Sequence, residues 1–297
     1  MRFNKLFIFI FLVLIVSCKN EPTTLEIGKS YLEEQNFVED HTIDSLLSNL
    51  LPDINCIAST KGSKYFVLEE SFNVKDTNQI VILPFRSKSR ANKLEKSGFS
   101  KIEDRLVYIN PLYIKDFVSN NSLNKDSDID GYLGIVLLHE LSHFLTGVSG
   151  SFDENNNPKD NRSGLGQIDM HTEPIVMTKQ KKLELKVDSL AVTMIKAGLT
   201  ETKGDCFSTC FSIQLAISGA EFMTFGKRTI ENFGTQTPNM IKDNSLSHPN
   251  IELRLAFMNY YLNPAPEKLA QIQDYIYERE VAPVRRQETD PRIYQGN

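Results

Sequence analysis

The segment "IVLLHELSHFLTG" (135–147) constrains this chain more than any other part of it. It sets His139, Glu140 and His143 among Ile135, Val136, Leu137, Leu138, Leu141, Phe144 and Leu145, so a helix here is apolar nearly all round. Such a helix belongs in an interior. An interior tolerates ionisable groups only when they are paired or hold a metal. The fold must therefore bury this helix, expected over 132–147 with Gly147 at its end, and bring partners to three polar side chains on it.

On an α-helix, four residues turn through about 400°, so His139 and His143 point the same way one turn apart. Two imidazoles so placed can reach one ion at about 2.0–2.1 Å each, and zinc is the expected cofactor. Glu140 is turned about 100° round the helix and flanks the ion. There its carboxylate can take a proton from a water whose pKa zinc lowers to about 7. The pattern is H-E-x-x-H, with a chemical role for every fixed letter.

An open zinc site takes three protein ligands. A histidine six residues past His143 is absent, because Ser149 stands there. A carboxylate on a later helix is the alternative. "KKLELKVDSLAVTMIKAG" (181–198) offers Glu184 and Asp188, four apart, with Ala191 on the same stripe. They border an expected core stripe of Leu183, Val187, Leu190, Met194 and Ile195. Glu184 is the expected third ligand. Asp188 is expected to accept the spare ring N–H of a ligand histidine, which fixes its tautomer. Ala191 would let the two helices approach closely. His171 in "DMHTEP" stands as an alternative ligand or a substrate-side residue, with a solvent-exposed loop histidine as the plainer account.

H-E-x-x-H followed by E-x-x-x-D-x-x-A resembles the HtpX-like gluzincin peptidases, a group that includes prenyl-protein endopeptidases and BepA-like periplasmic enzymes. "HPNIELR" (248–254) resembles the H-P-x4-R segment that follows in that family. The resemblance implies a zincin-like fold and zinc-dependent hydrolysis of peptide bonds. It implies that His139, His143 and Glu184 are ligands, Glu140 the general base and Asp188 the partner of a ligand. By the same likeness His248 would hydrogen-bond the developing oxyanion and Arg254 would support that region. A strand "RLVYIN" (105–110) would be either an edge strand that pairs with an extended peptide or an ordinary sheet strand. The chain departs from the family in lacking its upstream Asn and Pro-Gly signature. It also has no apolar run of 18 residues after the leader. The rival reading is a non-catalytic zinc-holding lipoprotein for binding or assembly, and a zinc hydrolase acting on a non-peptide bond is a weaker third. A purely structural site needs no general base, so Glu140 favours the enzyme.

The N-terminus sets the expected location. Arg2 and Lys5 precede Leu6–Val16, an apolar run too short to span a bilayer and suited to a signal-peptide core. "IVSC" resembles a bacterial lipobox, which implies cleavage before Cys18 and its acylation, with the bilayer as a partner. No Asp follows Cys18, which by resemblance implies a cell-envelope lipoprotein of the outer membrane. Formal charge is −5 over 297 residues, so nothing electrostatic favours nucleic acid. Cys56, Cys206 and Cys210 are odd in number and form no disulfide framework. The last two are read as small packing residues.

The organisation expected is a leader (1–17), a tether and first helix (18–45), a metallopeptidase domain (46–262) and a peripheral tail (263–297). Strand signals fall over 53–110, at "YFVLEE" (65–70), "QIVILP" (79–84) and "RLVYIN" (105–110). Helical periodicity dominates from about 131 onward, with Gly198 ending the helix over 179–198. The Asn/Asp/Gly-rich stretch 149–167 reads as a loop between the ligand helices. This order predicts an α+β domain, a small N-terminal mixed sheet packed on a helical half. "DSDIDG" (126–131) copies half a calcium loop but has Leu137 at the twelfth position, so Asp130 is read as the cap of the histidine helix.

Overall fold

The computed structural model describes residues 22–88, 97–121, 125–147, 179–201, 206–234 and 251–276. Helix α1 spans Thr24–Glu34 and starts on a capping box. Thr23 Oγ1 accepts from the Glu26 amide at 3.2 Å, and Glu26 Oε2 accepts from the Thr23 amide at 2.6 Å. Strand β1 (Phe37–Glu39) follows. Next comes α2, Asp44–Ser59. The strand signals expected from residue 53 begin only later, because Leu47, Leu50, Leu51, Ile54, Ile57 and Ala58 are buried at helical spacing. That stripe carries the helix straight through Pro52 at the loss of one backbone hydrogen bond.

The sheet comprises β1, β2 (Tyr65–Val67), β3 (Gln79–Ser87), β4 (Gly98–Lys101) and β5 (Leu106–Ile109). Its order is β1-β3-β5-β4, with β2 beside the first residues of β3. β3 runs parallel to β2 and β5 and antiparallel to β1, while β4 is antiparallel to β5, so the sheet is mixed. Alternation splits its side chains between two faces. Val81, Leu83, Phe85, Leu106 and Tyr108 meet Leu32 of α1. Ile80, Ile82, Val107 and Ile109 face the helical half. Strand β5 is not an edge strand; of the two readings of "RLVYIN", the ordinary sheet strand is the one that holds. It lies between β3 and β4 with all four residues buried, and β4 takes the edge next to the histidine helix.

The helical half comprises α3 (Pro111–Asn121), α4 (Lys125–Thr146), α5 (Lys179–Glu201), α6 (Phe207–Gly234), α7 (Ile251–Leu262) and α8 (Pro266–Ile276). α4 is its axis and packs on α2, α3, α5 and α6. Its crossing with α6 is tight. A Cβ on Gly131 would lie 2.6 Å from the Ala216 Cβ and 2.9 Å from the Ser212 carbonyl oxygen. α4 starts well before residue 132, so Asp126, Asp128 and Asp130 lie within it; Asp130 is not its cap and the segment forms no calcium loop. Gly147 does end it, with φ 64°. Gly198 lies inside α5 rather than at its end, where the missing side chain makes room for Cys210 Sγ. Cys206 and Cys210 are fully buried. Part of the expected peripheral tail is packed: Ile272 of α8 is enclosed with Leu185, Leu253, Ala256 and Phe257. Among the described residues no helix is long and apolar enough to cross a membrane.

Candidate metal centre

Three helices converge on one point. α4 contributes His139, Glu140 and His143, α5 contributes Glu184 and Asp188, and α7 contributes Arg254. His139 and His143 sit one turn apart as their spacing requires, their rings nearly perpendicular at 88° and 4.8 Å between centroids. Their Nε2 atoms are 3.2 Å apart. Glu184 Oε2 lies 3.4 Å from the first and 3.7 Å from the second. Four ligands on a tetrahedron with 2.0–2.1 Å bonds stand about 3.3 Å from one another. The triangle of two imidazole nitrogens and one carboxylate oxygen fits one face of such a tetrahedron. This buried group could hold a metal ion.

The α5 stripe is rotated from the one expected. Leu183 and Leu190 are only half-buried, while Leu185 and Val192 join Val187, Met194 and Ile195 inside. The carboxylates therefore lie at the centre of the buried face rather than at its border. Glu184 and Asp188 are both 0 % exposed, and Ala191 is buried beside them. Leu185 and Val192 are seven apart, but so are Leu183 and Leu190, so spacing alone did not signal this rotation.

Asp188 explains how the His139 ring is held. His139 Nδ1–H donates to Asp188 Oδ1 at 2.8 Å, which leaves Nε2 facing His143 and Glu184. Arg254 then grips the same carboxylate with two bonds, Nε to Oδ2 at 2.8 Å and Nη2 to Oδ1 at 2.7 Å. The guanidinium also lies 2.9 Å from His139 Nδ1, since both sit on one oxygen. The strongest contacts of Arg254 are with Asp188, and His248, whose region it was expected to support, lies outside the described residues. Nothing in local sequence pairs positions 188 and 254; only the packing of α7 on α5 does.

Burial and electrostatics pull against each other here. Burial pushes the Asp188 carboxyl up, but the Arg254 charge and its hydrogen bonds, with His139 behind them, hold it below the ordinary value. Burial and Arg254 push the His139 imidazole down, yet Asp188 and Glu184 outweigh them and lift it to about 9. Burial disfavours the Arg254 charge, and Asp188, Glu184 and Glu140 together keep it firmly protonated.

Glu140 is 4 % exposed. Its Oε2 is buried and has no hydrogen-bond partner among the described residues. A buried carboxylate oxygen left bare is costly. Two imidazole nitrogens and one carboxylate oxygen make a donor set that could hold a metal ion. Expected residues Cys18, His171 and His248, and the stretch 149–171, lie outside the described residues. No family model, curated protein or solved structure matches this chain, so the reading of the centre rests on its own atoms.

Proposed function

We propose that this protein is a zinc-dependent endopeptidase of the cell envelope, with a zincin-like fold and the gluzincin ligand arrangement that its HtpX-like motifs suggest. The observation that carries this reading is the 3.2, 3.4 and 3.7 Å triangle of His139, His143 and Glu184, together with a buried Glu140 oxygen on the same helix that has no hydrogen-bond partner among the described residues. In this reading His139, His143 and Glu184 hold the ion. Zinc, when bound, supplies a Lewis acid and lowers the pKa of water to about 7. Glu140 takes the proton from the attacking water and passes it to the leaving amine. Asp188 keeps the His139 proton on Nδ1, so that Nε2 presents its lone pair to the ion. His248 is proposed as the donor to the oxyanion. The outer edge of β4 supports pairing with an extended peptide, one of the two roles read into β5. Acylated Cys18 would hold the enzyme at the outer membrane.

Glu140→Gln is the direct test. Zinc stoichiometry should stay at wild type while cleavage of a peptide library falls by about 10²–10⁴-fold. Wild-type turnover in this variant would rule the mechanism out. One observation favours a second reading, a zinc-holding binding or assembly lipoprotein: the proposed ligands are almost closed off, with His139 5 %, His143 4 % and Glu184 0 % exposed. A zinc-loaded wild type that cleaves no peptide would favour that reading.

A further inference from the structure

We infer that Arg254 is a positioning residue for the metal centre, and that through it the docking of the C-terminal helix pair, α7 with α8, sets the affinity of the centre for zinc. The inference uses the metal reading above but not the peptidase reading. Arg254 makes its shortest bonds to Asp188, which in turn holds His139; its Nη2 also lies 3.3 Å from His139 Nε2, one of the proposed ligand atoms.

The chain of contacts is continuous. Arg254 lies on α7 between Leu253 and Leu255. Leu255 belongs to the main core around α4. Leu253 belongs to a smaller cluster with Leu185, Ala256, Phe257 and Ile272, which ties α5, α7 and α8 together. Leu185 is the neighbour of Glu184 on α5, so this cluster sits directly behind the carboxylates. α8 is further fastened by Lys268 Nζ, which donates to Asn259 Oδ1 at 3.1 Å. Ile272 is 0 % exposed. The side chain that orders the centre is thus carried on a helix whose seat depends on a late segment of the chain.

Two effects of Arg254 on zinc oppose each other. Its positive charge repels a dication, but that charge is already matched by Asp188 across a two-bond fork, so little field remains. Its removal leaves a fully buried carboxylate with the His139 N–H in place of a paired guanidinium, and breaking a buried ion pair costs about 3–5 kcal/mol. The cheapest relief is for Asp188 to leave its place, and the acceptor for His139 Nδ1–H goes with it. Loss of such an outer partner lowers metal affinity by about 10–100-fold. Orientation outweighs repulsion, so zinc affinity falls when Arg254 is removed. By reciprocity, zinc must tighten the docking of α7 and α8 by the same factor.

The test is zinc affinity of the full chain, measured by competition with a fluorescent chelator and no peptide present. Arg254→Gln should weaken zinc by about 10–100-fold. Arg254→Lys, which keeps the charge and loses the fork, should not restore it; wild-type affinity in that variant would overturn the clamp. Ile272→Asp, remote from the centre, should weaken zinc in the wild-type background. The same change should alter nothing further once Arg254 is Gln. Equal losses in both backgrounds would overturn the coupling. Hydrogen exchange on unaltered protein guards against variants that fail to fold: zinc should slow exchange across α7 and α8, and unchanged rates there would overturn the inference. A chain that shows this coupling and cleaves no peptide would refute the peptidase reading alone.

Discussion

Phe85 on the sheet and Glu184 on α5 are both fully enclosed, yet they are enclosed by different kinds of group. Around Phe85 stand Leu32, Val81, Leu83, Leu106 and Tyr108. The rings of Phe37, Phe99 and Tyr108 lie within 5.0–6.4 Å of its own. Around Glu184 stand His139, His143 and Arg254, with Asp188 one turn on. The first region gains by removal of apolar surface from water, roughly 25 cal/mol per Å². The second pays desolvation on every charge it holds, and is compensated only by opposite charge and by whatever ion the triangle accepts. One core is stable because of what it contains; the other is tolerated for what it can do.

That contrast can be broken by experiment, and the largest effect belongs to the sheet. Phe85→Ala should cost about 3–5 kcal/mol in denaturant unfolding, by the same amount with zinc or with chelator. A zinc-dependent loss would mean that the two cores are not separate in energy. Metal removal comes next. Zinc at 100-fold above its dissociation constant should stabilise the folded chain by about 2.7 kcal/mol. Hydrogen exchange should then slow in α4, α5 and α7 and stay unchanged in β3 and β5. The smallest change is in Glu140. With chelator present, Glu140→Leu removes a bare buried oxygen at similar volume and should stabilise by about 1–3 kcal/mol. No truncation or polar removal around Phe85 should do the same, and a destabilised Glu140→Leu would show that the orphaned oxygen carries no cost.

Much of the sheet core was legible in the chain. Gln79 to Pro84 reads as a strand because its apolar run is short and β-branched, and β3 runs there. The helix of His139 and His143 was equally plain, since its apolar residues surround the motif. Less of the rest was readable, and for identifiable reasons. α2 hides behind Pro52, whose local cost is overridden by six buried apolar residues at helical spacing. Whether β5 stood at an edge was not legible, because a strand carries no mark of its neighbours; the pairing of Val81–Pro84 with Leu106–Ile109 decides that it is interior. The early start of α4 was masked by three aspartates that suggest a loop.

The identity of the chemical groups and their alignment along each helix were settled within the sequence itself: a four-residue step on a helix aligns two imidazoles, and another aligns two carboxylates. Distance along the chain carries no such information about which helix meets which. Tertiary packing alone brought Glu184 to within 3.4 Å of His139 and laid Arg254 across Asp188. It also made Ile272, near the end of the chain, part of the support behind both. Local periodicity fixes the direction of a side chain, whereas the partner it faces depends on how whole apolar faces fit together.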